Sequence, residues 1–195
     1  MIIHYLNDDI NRPSPVGPAH PLPVTSSAAL PITTRGTGYK SSATKTRPND
    51  TNAYAAGDVI AESASAGTVW TFLNAGPSGG RIEIIGASIE IDVSAVPSGM
   101  DYFRVHIYDD APTAINDNAA YDLPSGDRAK YQGYIDIPTP QDLGSTLWGQ
   151  DGLARLSVKL AASSTTLYGM LETRGAYTPT AQVVKVVTLH AVRIE

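Results

Sequence analysis

Along most of this chain, apolar and polar residues alternate with a period of two. In residues 101–109, Phe103, Val105 and Ile107 share one parity, whereas Arg104 and His106 share the other. Because successive side chains of a β-strand point to opposite faces, this alternation is typical of an antiparallel strand with one buried face. Similar runs recur after residue 50, and we predict strands over residues 58–62, 68–73, 81–93, 101–109, 129–137, 153–161, 166–174 and 183–194.

Two of these runs depart from simple alternation. In residues 81–93 the apolar parity changes between Ile84 and Ile89, and Gly86 lies at the change, which predicts a β-bulge or a bend between two sheets. Residues 183–194 are apolar on nearly both parities, as expected for a central strand that is covered on both faces. Between the predicted strands, residues 141–150 predict a single helical turn.

The segments between the strands are rich in turn-forming residues. Residues 76–80, 97–99 and 124–127 combine Gly, Pro, Ser and Asp, each of which favours turns for its own backbone reason. The chain has 195 residues, enough for one well-buried core. Its 17 Gly and 14 Pro interrupt regular secondary structure and favour turns. For residues 50–195 we therefore predict an all-β fold, a two-sheet antiparallel sandwich of the jelly-roll or Greek-key type.

Residues 1–49 have a different character and predict an extended N-terminal arm. They hold half of the 14 prolines, and residues 11–24 are predicted to form an extended strap because proline does not donate to a sheet ladder. Residues 25–49 lack the apolar surface that would offset the entropy of ordering them. The charged residues between 11 and 49 are all basic, whereas residues 50–195 are net acidic. We place the boundary between arm and sandwich at Asn49–Asp50, where charge and periodicity both change.

Few patterns in the chain favour catalysis. The absence of cysteine excludes disulfides, thiolate metal sites and cysteine nucleophiles. The four histidines, His4, His20, His106 and His190, form no His-x-x-x-His pair, and no serine lies in a Gly-x-Ser-x-Gly motif. A Ser–His–Asp site assembled from distant positions remains an alternative. We predict a protein that is not an enzyme and that needs no cofactor.

An acidic loop is the best candidate for a metal site. Oxygen ligands in a loop suit Ca²⁺, but the spacing does not match a calcium-binding loop, and Asp and Asn are ordinary turn residues. We therefore predict a solvated turn and no metal, with Asp109, Asp110 and Asp117 as the alternative ligands among the loop residues Asp109, Asp110, Asn116, Asp117, Asn118 and Asp122.

Aromatic residues on the predicted strands suggest a second alternative function. Tyr and Trp on one sheet face stack on sugar rings in carbohydrate-binding modules, although they are also favoured in strands for packing reasons. The candidate platform residues are Tyr102, Tyr108, Tyr131, Tyr134 and Tyr168, together with Trp70 and Trp148.

Membrane and nucleic-acid partners are not predicted. The first ten residues do not match a signal peptide, and no apolar run approaches the roughly 18 residues of a membrane span. The basic residues of the arm are sparse, and the acidic body would repel a polyanion. We therefore expect no specific contact with nucleic acid.

Two stretches within residues 15–63 resemble virion structural proteins of tailed bacteriophages. PVGPAHPLPV (residues 15–24) is similar to proline-rich segments near the N-termini of such proteins, with His20 where Asn is frequent. TRPNDTNAYAAGDVIAES (residues 46–63) resembles a phrase found in phage head and tail structural proteins. The matching residues are Arg47, Pro48, Asp50, Thr51, Tyr54, Gly57, Asp58 and Val59. The resemblance implies a virion component and brings no catalytic residues with it.

These observations together predict a capsid decoration (cement) protein. We expect the arm to lie across capsid subunits, where docking would offset its ordering entropy. The expected partners are the major capsid protein or other virion proteins and further copies of this chain, in a virion assembled in the host cytoplasm. The alternatives are a tail, neck or baseplate component and a carbohydrate-binding module. The predicted partner-binding residues of the arm are Arg12, Pro21, Leu22, Pro23, Arg35, Lys40, Lys45 and Arg47.

Overall fold

The computed structural model describes residues 37–194 and, further towards the N-terminus, the backbone of two short strands. The chain divides into two compact units, Met1–Thr34 and Arg35–Glu195. In chain order the strands are β1 (His4–Asn7), β2 (Arg12–Pro15), β3 (Gly38–Thr46), β4 (Val59–Ile60), β5 (Trp70–Phe72), β6 (Arg81–Ile91), β7 (Phe103–Tyr108), β8 (Tyr131–Ile137), β9 (Gln141–Asp142), β10 (Leu147–Asp151), β11 (Leu156–Lys159), β12 (Leu167–Thr173) and β13 (Val184–Arg193), with a short 3₁₀ helix at Ser125–Asp127.

In the N-terminal unit, β1 and β2 form an antiparallel pair. Pro13 and Pro15 lie opposite Leu6 and His4. Arg12–Pro15 is extended as predicted, but its pairing with β1 differs from the expectation that proline keeps this segment out of a sheet ladder. Proline fits this pair because only alternate residues of an antiparallel strand donate hydrogen bonds to the neighbouring strand, and the two prolines occupy alternate positions.

The larger unit consists of two antiparallel sheets. In the large sheet the strand order is β3-β13-β6-β10-β9, and β11 pairs with β6 beyond the end of β10. In the small sheet the order is β4-β12-β7-β8, and β5 pairs with β12 next to β4. The prediction of an all-β, two-sheet antiparallel sandwich is confirmed.

The order of pairing identifies the sandwich as a jelly roll. If β4 with β5 and β10 with β11 are each counted as one row, eight rows follow one another along the chain, from β3 to β13, with β9 as an extra edge strand. The first row pairs with the eighth, the second with the seventh, the third with the sixth and the fourth with the fifth. This is the connectivity of one long hairpin rolled up into two sheets.

The core lies between the two sheets. The large sheet contributes Ile82, Ile84, Ile89 and Ile91 of β6. The small sheet contributes Phe103, Val105 and Ile107 of β7, and all seven residues are fully or almost fully buried. Each such side chain contributes roughly 1.5–3 kcal/mol when it leaves water. Within the described part of the chain, no helix is long and apolar enough to cross a bilayer.

The bulge predicted at Gly86 is confirmed. The register of β13 against β6 shifts between His190, opposite Gly86, and Ala191, opposite Ile84. A Cβ atom at Gly86 would lie 2.6 Å from the Asp151 carbonyl oxygen, so the close approach of the neighbouring chain requires glycine. The alternative of a bend between sheets is wrong, since both halves of β6 remain in the large sheet.

Two other local predictions need correction. Residues 141–150 form no helical turn but the strands β9 and most of β10, in which Leu147 is buried beside Ile91 of β6. The last strand, β13, is central as predicted, between β3 and β6, but its outward residues Val184, Val186 and Val192 are only half-buried.

The boundary between arm and sandwich also differs from the one drawn on the sequence. The structure divides the units between Thr34 and Arg35, because residues up to Thr46 belong to β3 and pair with β13 over its whole length. The inward positions of β3 are Tyr39, Ser41, Ala43 and Lys45, and most of these residues are polar or small. No hydrophobic period therefore indicated a strand there.

Candidate functional site

A fully buried guanidinium lies just after the end of β3. The Arg47 side chain has no exposed surface. Its Nε donates to the Tyr54 hydroxyl at 3.0 Å, and its Nη2 donates to Asp50 Oδ1 at 2.7 Å and to the Asn52 carbonyl at 3.0 Å. These bonds hold the loop between β3 and β4 in one conformation.

The long loop between β7 and β8 contributes the carboxylate that faces Arg47. Asp117 Oδ1 accepts from the Tyr54 hydroxyl at 2.7 Å and from the Ala61 amide at 2.9 Å, and its Oδ2 lies 3.7 Å from Arg47 Nε. Burial raises the pKa of Asp117 even though these hydrogen bonds and Arg47 favour the charged form. We call the buried residues Arg47, Tyr54 and Asp117, together with the partly exposed Asp50, the buried ion cluster.

The phage-like phrase coincides with this cluster. Arg47, Asp50 and Tyr54 are its members, and Asp58, further along the phrase, accepts the Ala55 amide at 2.6 Å. Gly57 has a φ of 99°, a conformation that favours glycine. In this chain these residues therefore stabilise the crossing from the large sheet to the small sheet.

A second polar cluster lies on the outer face of the small sheet. His106 on β7 and Glu172 on β12 are both buried, with His106 Nε2 at 2.9 Å from Glu172 Oε2. The Tyr131 hydroxyl is 3.2 Å from His106 Nδ1, and the Tyr121 ring stacks on the imidazole at 3.6 Å between centroids. We call these four residues the histidine cluster.

The surroundings of His106 lower its pKa and occupy both of its ring nitrogens. Burial lowers the pKa of His106, and this effect outweighs the opposing hydrogen bond and charge of Glu172. Both ring nitrogens are within hydrogen-bond distance of a side chain of the chain itself, and one ring face is covered by Tyr121. The imidazole thus connects β7 with β12 through Glu172 and with the β7–β8 loop through Tyr121.

An exposed aromatic residue lies beside the histidine cluster. Arg104 binds Asp136 through two hydrogen bonds of 2.7 and 3.0 Å, and its guanidinium carbon lies 3.7 Å from the Tyr134 ring centroid. Tyr134 is 49% exposed. One face of the ring is therefore braced by a cation while the residue remains open to solvent.

The predicted arm residues fall into four groups. Arg12 lies in β2, Lys40 is exposed on the outer face of the large sheet, and Pro21, Leu22, Pro23 and Arg35 lie outside the described residues. Lys45 and Arg47 are buried: Lys45 pairs with Glu62, and Arg47 belongs to the buried ion cluster. These two basic side chains therefore stabilise the sandwich and are not presented to a partner.

The acidic loop does not assemble a metal site. Asp117 points inward to Tyr54 and Arg47, whereas Asp110 accepts the Ala111 amide at the surface. Asp109, the third candidate, has a raised pKa, mainly because of burial. Across residues 37–194, no group of three or more His, Asp or Glu side chains is arranged to hold a metal ion.

The aromatic candidates do not form one platform. Tyr108, Tyr131, Tyr134 and Tyr168 belong to the strands of the small sheet, but Tyr108 is fully buried. Trp70 is buried in the core, where its indole nitrogen donates to the Ile60 carbonyl, and Trp148 lies on the large sheet. Trp70 therefore cannot stack on a sugar in this fold.

Comparisons with known proteins give similarity at the level of structure. No family model matches the chain, and no curated protein matches it. Among solved structures, the chain is similar to a chain titled "Cyanophage Pam1 capsid asymmetric unit", with a TM-score of 0.34 and 13% sequence identity. That alignment covers 91% of this chain and 99% of the other.

Proposed function

We propose that this chain is a non-enzymatic virion structural protein of a tailed bacteriophage, and that it decorates the capsid. In this proposal the N-terminal unit, Met1–Thr34, binds the shell, and the jelly roll lies on the outside of the shell. Further copies bind neighbouring capsid subunits and each other.

The observation that carries the proposal is the phage-like phrase of residues 46–63. Its matching residues Arg47, Asp50 and Tyr54 are connected by hydrogen bonds at the crossing between the sheets, and Arg47 and Tyr54 are buried. A resemblance in residues that maintain a fold supports common architecture with virion proteins more strongly than scattered surface identities would. Architecture by itself does not define a function, so the proposal also needs a binding element.

The N-terminal unit supplies a candidate for that element. It forms a compact unit of its own and contains six of the prolines, which restrict the unbound backbone and lower the entropy lost on docking. Repeated weak contacts on a symmetric lattice give high occupancy without a single strong site.

Deletion of residues 1–34 tests the proposal. We expect the truncated protein to remain folded, with a melting temperature within about 3 °C of the full chain, because β3 is intact. We expect its co-sedimentation with capsids that lack this protein to fall at least tenfold. Full occupancy of the shells by the truncated protein would refute capsid binding through the N-terminal unit.

A longer deletion provides the matched control. Removing residues 1–46 also removes β3, the row that pairs with β13, so we expect loss of the cooperative unfolding transition. Loss of binding in this variant would report unfolding, whereas loss in the shorter deletion would report a missing contact. The cut must therefore fall before β3.

Copy number separates the capsid from the tail, neck or baseplate. A decoration protein is present in hundreds of copies per particle, whereas tail components follow small multiples of three or six. Quantitative mass spectrometry of purified virions gives this ratio directly. A ratio in the tail range would favour the alternative location.

A further inference from the structure

The outer edge of β3 is the longest regular strand edge in the described part of the chain. β3 has nine residues, and its register with β13 runs without a shift. The other outer strands are short or irregular: β4, β5, β9 and β11 have two to four residues each, and the register of β8 against β7 shifts at a bulge. Proteins protect sheet edges by such devices, because an unpaired edge binds other strands. β3 contains neither a bulge nor a proline.

The hydrogen bonds at the two ends of β3 show which of its backbone groups face outwards. The Arg47 amide donates to the Val183 carbonyl at 3.0 Å. At the other end, the Arg193 amide donates to the Thr37 carbonyl at 3.1 Å. Because alternate residues of an antiparallel strand bond to a given neighbour, the odd-numbered residues of β3 bond to β13. The N–H and C=O groups of the even-numbered residues therefore point away from the sheet, and no described residue pairs with them: Gly38, Lys40, Ser42, Thr44 and Thr46.

The side chains along this edge leave it accessible. All five even-numbered residues are exposed, and Lys40 is the charged residue among them. The Ser41 hydroxyl donates to the Leu73 carbonyl at 2.6 Å, which places Leu73 beside the middle of the edge. Leu73 is 62% exposed. The edge thus combines unpaired backbone groups with a neighbouring apolar residue that is open to solvent.

We propose that β3 pairs antiparallel with β3 of a second copy of this chain, across a two-fold axis at Ser42. This inference rests on the self-association in the proposed function and identifies its surface. In this register the five outward N–H groups of each strand meet the five outward carbonyl groups of the other. The large sheets of the two copies then form one continuous sheet through a self-complementary interface.

The side chains favour a second copy in this register. Lys40 of each copy lies opposite Thr44 of the other, and Gly38 lies opposite Thr46, so no like charges face each other across the axis. A slip in either direction leaves outward N–H and C=O groups unpaired at the strand ends. The register centred on Ser42 is therefore the one that satisfies the whole edge.

Charge substitutions across the proposed pair test the interface. Sedimentation velocity of the full chain in low-salt buffer measures the equilibrium between monomer and dimer. Thr44→Lys places a lysine opposite Lys40 twice in each dimer, so we expect the dissociation constant of the dimer to rise about tenfold. Thr44→Glu should lower it about threefold, because the new carboxylate faces Lys40. Adding Lys40→Glu to Thr44→Lys should restore association.

Ser157→Lys is the matched control, because Ser157 is exposed on β11, in the row at the opposite side of the large sheet. We expect this variant to associate like the wild type. A wild-type chain that remains monomeric at about 1 mM, weaker than a specific interface, would overturn the proposal. A dissociation constant that Thr44→Lys leaves unchanged would overturn it as well.

Amide hydrogen exchange gives a readout that needs no variant. The full chain is measured by NMR at concentrations above and below the dissociation constant. We expect the amides of Ser42 and Thr44 to be protected in the dimer alone, whereas the amides of Ser41 and Ala43, which face β13, are protected in both states. Equal exchange of Ser42 and Thr44 at the two concentrations would contradict pairing through this edge.

Co-sedimentation with capsids separates this proposal from capsid decoration. A wild-type dimer with the expected exchange pattern that does not bind shells would refute decoration and support β3 pairing. Shell binding by a wild-type chain that is monomeric in solution and unaffected by Thr44→Lys would support decoration and refute β3 pairing.

Discussion

At the scale of single residues, buried charge holds parts of this fold that are far apart in the chain. Arg47 joins the loop after β3 to Asp117 in the β7–β8 loop, and Tyr54 lies between them with bonds to both. Removing one member of such a group leaves the others buried and unpaired, which costs more than the contact itself contributes.

Arg47→Met is therefore expected to destabilise the protein by about 3 kcal/mol in urea unfolding, since Asp117 loses its closest cation. Arg155→Met is the control, because Arg155 forms a surface ion pair with Glu83 at 3.4 Å and its side chain is 82% exposed. We expect the control to change stability by no more than about 0.5 kcal/mol. Equal effects of the two substitutions would contradict a structural role of the buried ion cluster.

His106 gives the fold a defined sensitivity to acid. Its pKa in the folded state lies below the ordinary value because of burial, while Glu172 and Asp136 oppose this shift and Arg104 reinforces it. As the pH falls through about 6.5, the unfolded chain takes up a proton that the folded chain does not, so stability decreases.

His106→Gln should reduce the loss of stability between pH 7.5 and pH 5 by on the order of 1 kcal/mol, measured as the pH dependence of the urea midpoint. If His106→Gln follows the wild-type curve, His106 does not titrate differently in the two states.

At the scale of elements, turns and strand pairing impose their own requirements. In the β6–β7 turn, the Met100 amide donates to the Pro97 carbonyl at 3.1 Å, and Gly99 has a φ of 84°. This geometry fits glycine at the third position of a type II turn. A Cβ atom at Gly99 would lie 2.2 Å from the Ala176 carbonyl oxygen.

Gly99→Ala should therefore lower the stability by about 2 kcal/mol or more, since it adds backbone strain and forces the β12–β13 loop away. Gly126→Ala is the control, because Gly126 has an ordinary φ and a Cβ there would meet no atom within 4 Å. Thermal unfolding of both variants measures the difference. A melting temperature of Gly99→Ala equal to that of the control would show that the β6–β7 and β12–β13 loops move apart without loss of stability.

The elements also show where prediction from sequence reached its limit. Strand β7 was evident from the alternation of Phe103, Val105 and Ile107, because half-burial leaves a period of two. Strand β3 was missed, since Ser41 and Lys45 on its inner face are polar. Its strand conformation follows from pairing with β13, which is remote in sequence and leaves no local signal.

At the scale of the whole molecule, the roll brings the ends of the larger unit together. The first row, β3, lies beside the last, β13, and the central rows pair with their sequence neighbours. The two rows that are farthest apart along the chain must therefore pair before the core is enclosed. This arrangement makes residues 38–46 part of the body and limits the candidate capsid-binding segment to the unit that ends at Thr34.

By itself, the sequence determined the all-β class, most strand positions, the bulge at Gly86 and the contrast between a proline-rich N-terminus and an acidic body. Alternation, turn residues and composition are local properties, so they can be read without knowing which strands pair. Only the tertiary structure shows that the basic residues Lys45, Arg47 and Lys185 are buried. Whether a charged side chain is solvated or buried depends on what the rest of the chain packs around it, and that is set by pairing between distant strands.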